Sequence, residues 1–156
     1  MIQFKKIVLT TDFSDNSEAA VPYAVELAKR YDGEIHLLHV TVEHAYYVPM
    51  PTGEFVTMTA PEEWLKEAQQ NQMKILMDRA DALATHEGVK VIPMMRNGHP
   101  PTEIVHYAKE IDADCVVIST HGRTGLAHLL HGSVGESVLR HCPKPVLSVR
   151  PPKLQK

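Results

Sequence analysis

The sequence is poor in cysteine. Cys115 and Cys142 are the only two, and neither has a ligand-like partner nearby. That excludes a disulfide scaffold, and a reduced, cytoplasmic setting is the simplest expectation. No CxxC pair, H-E-x-x-H motif or dense Cys/His cluster occurs, so no structural metal site is expected. No block of Lys or Arg stands out either. Sixteen basic residues stand against 19 acidic ones, a net charge of −3, which argues against a nucleic-acid-binding face. A run of about 18 apolar residues is missing, so neither a transmembrane helix nor a membrane partner is expected. The opening Met1-Ile2-Gln3-Phe4-Lys5-Lys6 leads straight into a strand-like segment with no apolar h-region, so no signal peptide is expected. Internal repeats and low-complexity tracts are also lacking.

What is there is ordinary globular chemistry: 156 residues, 44% hydrophobic and 22% charged. That length suits a single domain over 1–156 with a sizeable core. Lys6-Ile7-Val8-Leu9-Thr10 is a short, β-branched apolar run, the signature of a strand buried on both faces. Thr11 to Asn16 is rich in turn and cap residues, and Ser14 opens a helix. Ala20, Ala24, Leu27, Ala28 and Tyr31 mark one helical face, which Asp32-Gly33 ends, with Gly33 as the expected left-handed cap. Ile35 to Val40 is a second strand. Residues 43–60, with Pro49, Pro51 and Tyr46-Tyr47, read as a long irregular connection. Pro61, Glu62 and Glu63 open a helix whose period runs through Leu65, Ala68, Leu76, Ala80 and Leu83 to Glu87, with Trp64 as an expected packing anchor. Met73 and Met77 are expected core fillers. Val89 to Met95 is a third strand, and Pro93 suggests an edge position. Thr102–Glu110 is a short helix, 114–119 a fourth strand, Ser133–His141 a helix and Val146–Val149 a fifth strand. Apolar strands alternating with helices predict an α/β fold: an open five-stranded parallel sheet with helices on both faces.

In such sheets ligands sit beyond the C-terminal strand ends, where strand order reverses. The common solutions place strand one beside strand four. The loops after Thr10 and after Ser119 are the most polar and Gly-rich of the chain. Ser119-Thr120-His121-Gly122 is followed by nine residues, Arg123 to His131, and then by Gly132-Ser133 at a helix start. Free N–H groups and a positive dipole end suit a phosphate there. Gly122 and Gly132 lack Cβ and let backbone approach a ligand. Arg123 adds a guanidinium and Ser133 a hydroxyl. Asp12, on the other loop, accepts hydrogen bonds from ribose hydroxyls or a base edge. An acceptor on one loop and donors on the other fit a nucleotide. Each residue also has a bland role: turn glycines, Ser133 or Asp12 as helix caps, Arg123 as a solvated charge.

Ten histidines are the one unusual count. His36 and His39 lie three apart on a strand, so they face opposite sides. His121 and His128 sit by the candidate phosphate loop. No Ser/His/Asp ordering or paired acid motif assigns a catalytic residue.

Val8-Leu9-Thr10-Thr11-Asp12-Phe13-Ser14, Leu37-Leu38-His39-Val40, Ile118 to Gly125, Gly132-Ser133-Val134 and Pro143 to Val149 together resemble the universal stress protein family. The resemblance covers essentially the whole chain. It implies a Rossmann-like fold related to adenine-nucleotide hydrolases, with five parallel strands in order 3-2-1-4-5, and a homodimer formed through the last strand. The family's ATP-binding branch carries Gly-x-x-Gly, nine residues, then Gly-Ser/Thr. Here Ser119 replaces the first glycine and the rest is intact. Carried over, Thr11 and Asp12 would hold the adenosine and Val40 would meet the adenine edge through its backbone. Ile118 would line the pocket and Ser119 would neighbour the ribose. Gly122, Arg123, Gly132, Ser133 and Val134 would cradle the phosphates. The resemblance thus implies a stress-response sensor or adaptor binding ATP, ADP or AMP, with or without magnesium. A nucleotide-free protein-interaction adaptor and a weak ATP hydrolase are the alternatives.

Overall fold

A computed structural model describes residues 1–42, 45–120 and 134–151. The chain runs β1 (Lys6–Thr10), α1 (Asp15–Glu18), α2 (Val21–Tyr31), β2 (Glu34–Thr41), β3 (Ala45–Pro49), β4 (Phe55–Thr59), α3 (Glu62–Glu87), β5 (Lys90–Asn97), α4 (Pro100–Glu110), β6 (Cys115–Ser119), α5 (Val134–His141) and β7 (Val146–Val149). Five strands form one parallel sheet in the order β5-β2-β1-β6-β7. Counted among these five alone, that is the expected 3-2-1-4-5. Strand order reverses beside β1, the central strand.

The sheet is sealed by two cores because its three inner strands, β2, β1 and β6, are largely buried on both sides. Ile7 and Leu9 point to one face with Ile35, Leu37 and Val117, and are covered by Ala24 and Ala28 of α2 and by Leu76 and Ala80 of α3. Val8 points to the other face with Leu38, Val116 and Ile118, under Ile104, Tyr107 and Ala108 of α4 and Val138 of α5. Burying each such aliphatic side chain contributes roughly 1.5–3 kcal/mol. Pro93 sits in β5 at the sheet edge, paired with Leu37, where no further strand needs its missing N–H.

Five expectations need correction. Residues 43–60 are not irregular throughout: β3 and β4 form an antiparallel hairpin, with Tyr46 opposite Met58 and Tyr47 opposite Thr57. The prolines misled because Pro49 lies at the hairpin's end and Pro51 in the turn, where neither interrupts the ladder. Met50 N–H donates to Glu54 O at 2.8 Å, and Gly53 takes a φ of 83°. Asp32, not Gly33, is the left-handed cap of α2, with φ 50° and ψ 52°. The first helical stretch divides into α1 and α2, with Pro22 in the first turn of α2, where its missing N–H costs no bond. Trp64 is no anchor: it is 67% exposed on the first turn of α3, and Met77 is about half exposed, whereas Met73 does pack on the core.

A polar chain fastens α4 to the sheet. Lys90 Nζ donates to Glu34 Oε2 at 2.6 Å, and Glu34 Oε1 lies 3.2 Å from His36 Nε2. The buried His36 then meets Tyr107 OH through Nδ1 at 2.7 Å. A carboxylate only accepts, so neutral His36 carries its proton on Nε2 and Tyr107 donates to Nδ1. Arg96 covers the Tyr107 ring at 5.0 Å and grips both oxygens of Glu110 at 2.7 Å. Burial pushes the Tyr107 hydroxyl pKa up. The Lys90 ammonium holds the Glu34 carboxyl below its usual range, with burial opposing and His36 assisting. A lowered folded-state pKa adds stability above the unfolded pKa and loses it as pH falls through the folded one. Glu34→Gln is therefore expected to cost about 1 kcal/mol at pH 7. Urea titrations at stepped pH should show the deficit closing below about pH 4. A deficit independent of pH would refute the ionic origin.

Candidate functional site

β1 ends in a turn that chain chemistry holds tightly. Thr11 is buried; its N–H donates to Leu38 O at 2.9 Å, and its carbonyl oxygen accepts from His39 Nδ1 at 2.8 Å. That carbonyl fixes the His39 tautomer, since Nδ1 must carry a proton. Asp12 Oδ1 accepts from the Ser14 N–H at 3.0 Å and from the Ser14 hydroxyl. Ser14 in turn caps α1, its Oγ accepting from the Ser17 N–H. Asp12 therefore shapes the turn with one carboxylate oxygen, while the helix cap considered for it falls to Ser14.

Phe13 is the unusual residue. Its φ is 64°, a left-handed backbone for a bulky side chain, which costs about 1–3 kcal/mol. Several contacts hold it there. Its N–H donates to Thr11 Oγ1 at 3.1 Å. Its ring lies against that of His39 at 4.1 Å between centroids. From α3, Arg79 sets its guanidinium 5.4 Å from the ring centroid and donates from Nη2 to Phe13 O at 3.4 Å. Arg79 Nη1 also pairs with Glu18 of α1. Beside the turn, between α2 and α3, lies a groove of about 440 Å³ with Leu9 and Leu37 on its floor and Arg79 and Glu18 among its lining.

The second turn follows β6. Ile118 is buried against Val138 in the α4/α5 core, and Ser119 is half-buried at the strand end, level with Val149 of β7. Thr120 N–H donates to Val149 O at 2.9 Å. The first turn of α5 comes down on this main chain. A Cβ on Gly135 would lie 3.6 Å from Ser119 O and from Thr120 Cα. Val134, the first residue of α5, is exposed.

The ladders place these pieces side by side. Leu9 pairs with both Leu37 and Val117, so the C-terminal ends of β2, β1 and β6 are neighbours. Val40 lies near the end of β2, two residues beyond the Thr10–Leu38 pair. Thr11, Asp12, Val40, Ile118 and Ser119 thus belong to one end of one sheet, with Val134 on the helix above β6. Gly122, Arg123, Gly132 and Ser133 lie outside the described residues, as do His121 and His128. Among the described residues, no three His, Cys, Asp or Glu side chains gather where they could hold a metal ion. Nor is any described helix long and apolar enough to cross a membrane.

Sequence reasoning missed His39, Phe13 and Arg79 as parts of this end of the molecule. The apolar Leu37-Leu38-His39-Val40 run gave a signal for His39, an imidazole buried at a strand end. Nothing in the sequence ties Arg79 to a turn 66 positions earlier.

Five parallel strands, helices on both faces and two polar turns at the reversal of strand order define a Rossmann-like α/β protein, a class whose ligands sit where strand order reverses, which here is at the ends of β1 and β6. The chain belongs to the universal stress protein family, whose sequence model matches residues 3–150. It is 38% identical over 151 residues to universal stress protein MJ0531 of Methanocaldococcus jannaschii, covering 96% of this chain and 84% of that one. The solved structure of MJ0577, from the same organism, superposes with a TM-score of 0.75 at 26% identity, covering 97% and 99%. Two further solved relatives are complexes. One is a universal stress protein with cAMP, at TM-score 0.65 and 24% identity over 95% of this chain and 98% of that one. The other, from Archaeoglobus fulgidus, holds dAMP, at TM-score 0.61 and 23% identity over 96% and 99%.

Proposed function

We propose that this protein binds an adenine nucleotide (ATP, ADP or AMP) beyond the ends of β1 and β6. In this reading it acts in the cytoplasm as a stress-response sensor or adaptor and pairs with a second copy through β7. The observation that carries the reading is the juxtaposition of the Asp12 turn with the Ser119-Thr120 turn at the switch point, under the first turn of α5. A carboxylate on one side and helix-start N–H groups on the other match a ribose and a phosphate chain. Thr11 and Asp12 hold the adenosine, the Val40 backbone meets the adenine edge, Ile118 lines the pocket and Ser119 neighbours the ribose. Gly122, Arg123, Gly132, Ser133 and Val134 receive the phosphates, with magnesium among them where the chain of phosphates is long enough. The family relatives solved with cAMP and dAMP support an adenosine phosphate as the ligand class. No residue is assigned a catalytic role, so the reading needs binding and no turnover. β7 is a short strand at the sheet edge, and an unpaired strand edge is a template for a second copy.

Heat-denaturing freshly purified protein and identifying the released small molecule by mass spectrometry tests this directly. The expected result is an adenine nucleotide at near one per chain. In stripped protein, Asp12→Ala should weaken ATP binding about tenfold, or ~1.4 kcal/mol. No released nucleotide, together with no ATP-induced rise in unfolding temperature, would overturn the reading. Ser119, standing where the family pattern has glycine, would then favour the nucleotide-free adaptor.

A further inference from the structure

We propose that Arg79 of α3 is a positioning residue that holds the Asp12 turn in its left-handed form and thereby sets nucleotide affinity. The affinity part rests on the nucleotide-binding reading above; the hold on the turn does not. Asp12 precedes Phe13, whose φ of 64° is foreign to a phenylalanine. Such a conformation persists only where its surroundings over-determine it. His39 supplies one side, stacking on the Phe13 ring at 4.1 Å while binding Thr11 O. Arg79 supplies the other. Its Nη2 donates to Phe13 O at 3.4 Å, its guanidinium lies 5.4 Å from the Phe13 ring centroid, and its Nη1 pairs with Glu18.

The groove beside the turn explains why a long side chain is needed there. The groove is lined from both α3 and the turn, and Arg79 is part of that lining. Only a planar fork serves a carboxylate and a carbonyl at once while keeping its face near a ring; an ammonium offers a point charge. Without the hold, Phe13 relaxes to negative φ. The peptide plane between Asp12 and Phe13 then turns, and the Asp12 carboxylate is redirected.

The test compares wild type with Arg79→Gln, Arg79→Lys and Glu18→Gln. Three quantities are read: amide exchange at Phe13 and Ser14 without nucleotide, the Kd for ATP by calorimetry, and the unfolding temperature. Both Arg79 variants are expected to speed exchange at these two amides about tenfold and to raise the Kd about tenfold. Their unfolding temperatures should stay within about 3 °C of wild type. Glu18→Gln, which leaves the Phe13 contacts in place, should change the Kd less than about threefold. Unchanged exchange in Arg79→Gln overturns the proposal. So does faster exchange with an unchanged Kd. Wild-type behaviour of Arg79→Lys overturns the role of the fork. If the wild type binds no ATP yet exchange still responds to Arg79, the nucleotide reading fails and the hold on the turn stands. Should Arg79→Gln fail to fold, Phe13→Gly decides: glycine accepts this φ freely, so adding Arg79→Lys to it should leave the Kd unmoved. A further rise there refutes the proposal.

Discussion

Gly33→Val is expected to lower the unfolding temperature by about 5–15 °C, from a stability loss of about 2–4 kcal/mol. A Cβ at this position would lie 2.4 Å from Phe4 O, 3.0 Å from Lys5 O and 3.1 Å from Lys5 Cα. All three are main-chain atoms and cannot rotate away. Nor can the segment back off, because Lys5 O accepts the Glu34 N–H at 2.7 Å and Lys6 opposite Glu34 starts the β1–β2 ladder. Relieving the contact therefore means losing the first rung between the central strand and its neighbour. Gly33→Ala already carries the offending atom and should lose most of the same stability. Gly88→Ala is the contrast. Its site has open space and a φ of 66°, so only a backbone cost of about 1 kcal/mol is expected. Differential scanning calorimetry of the three variants checks the ranking, and a Gly33→Val curve within 1 °C of wild type would sink the close-approach explanation.

Leu76→Ala is expected to cost about 2–5 kcal/mol, read as a fall in urea midpoint. α3 spans 26 residues, yet its fully sequestered positions are Leu76 and Ala80. Leu76 is wholly buried in the core that also holds Leu9 and Leu37. Removing it opens a cavity beneath the only part of α3 that is seated deeply. Trp64→Ala, at the exposed start of the same helix, should change stability by less than about 0.5 kcal/mol. Equal losses in the two variants would mean that the N-terminal half of α3 carries packing comparable to that at Leu76.

Much of this architecture is legible in the residues. Ile7-Val8-Leu9 and Val116-Val117-Ile118 are apolar on both faces, which only a covered parallel sheet satisfies. The polar turns after Thr10 and after Ser119 point to the same end of that sheet. What escaped did so for identifiable reasons. Gly33 and Asp32 are adjacent, and glycine preference alone cannot separate a need for positive φ from a need for room. The hairpin was hidden because prolines were counted without regard to whether they fell on the turn or at a strand end. Trp64 misleads because hydrophobic size does not ensure burial on a helix whose first turns are mostly exposed. Arg79 was invisible because its partners, Phe13 and Glu18, are distant in sequence and the contact depends on a backbone angle that no composition encodes.

The seam between β1 and β6 carries a further consequence. Ile7 pairs with Cys115 and Leu9 with Val117, so the central strand meets β6 only after a very long loop closes. The β1–β2 pairing, by contrast, joins nearby stretches. Chains made from the N-terminus can assemble β1, α2 and β2 early, whereas long-range pairing is slow. During synthesis the Asp12 turn therefore emerges before β2, gains that strand as an early neighbour and then waits for most of the remaining chain. The end of the sheet that unites Asp12 with Ser119 is among the last parts of the molecule to mature, and a nascent chain cut short of Cys115 holds half of it.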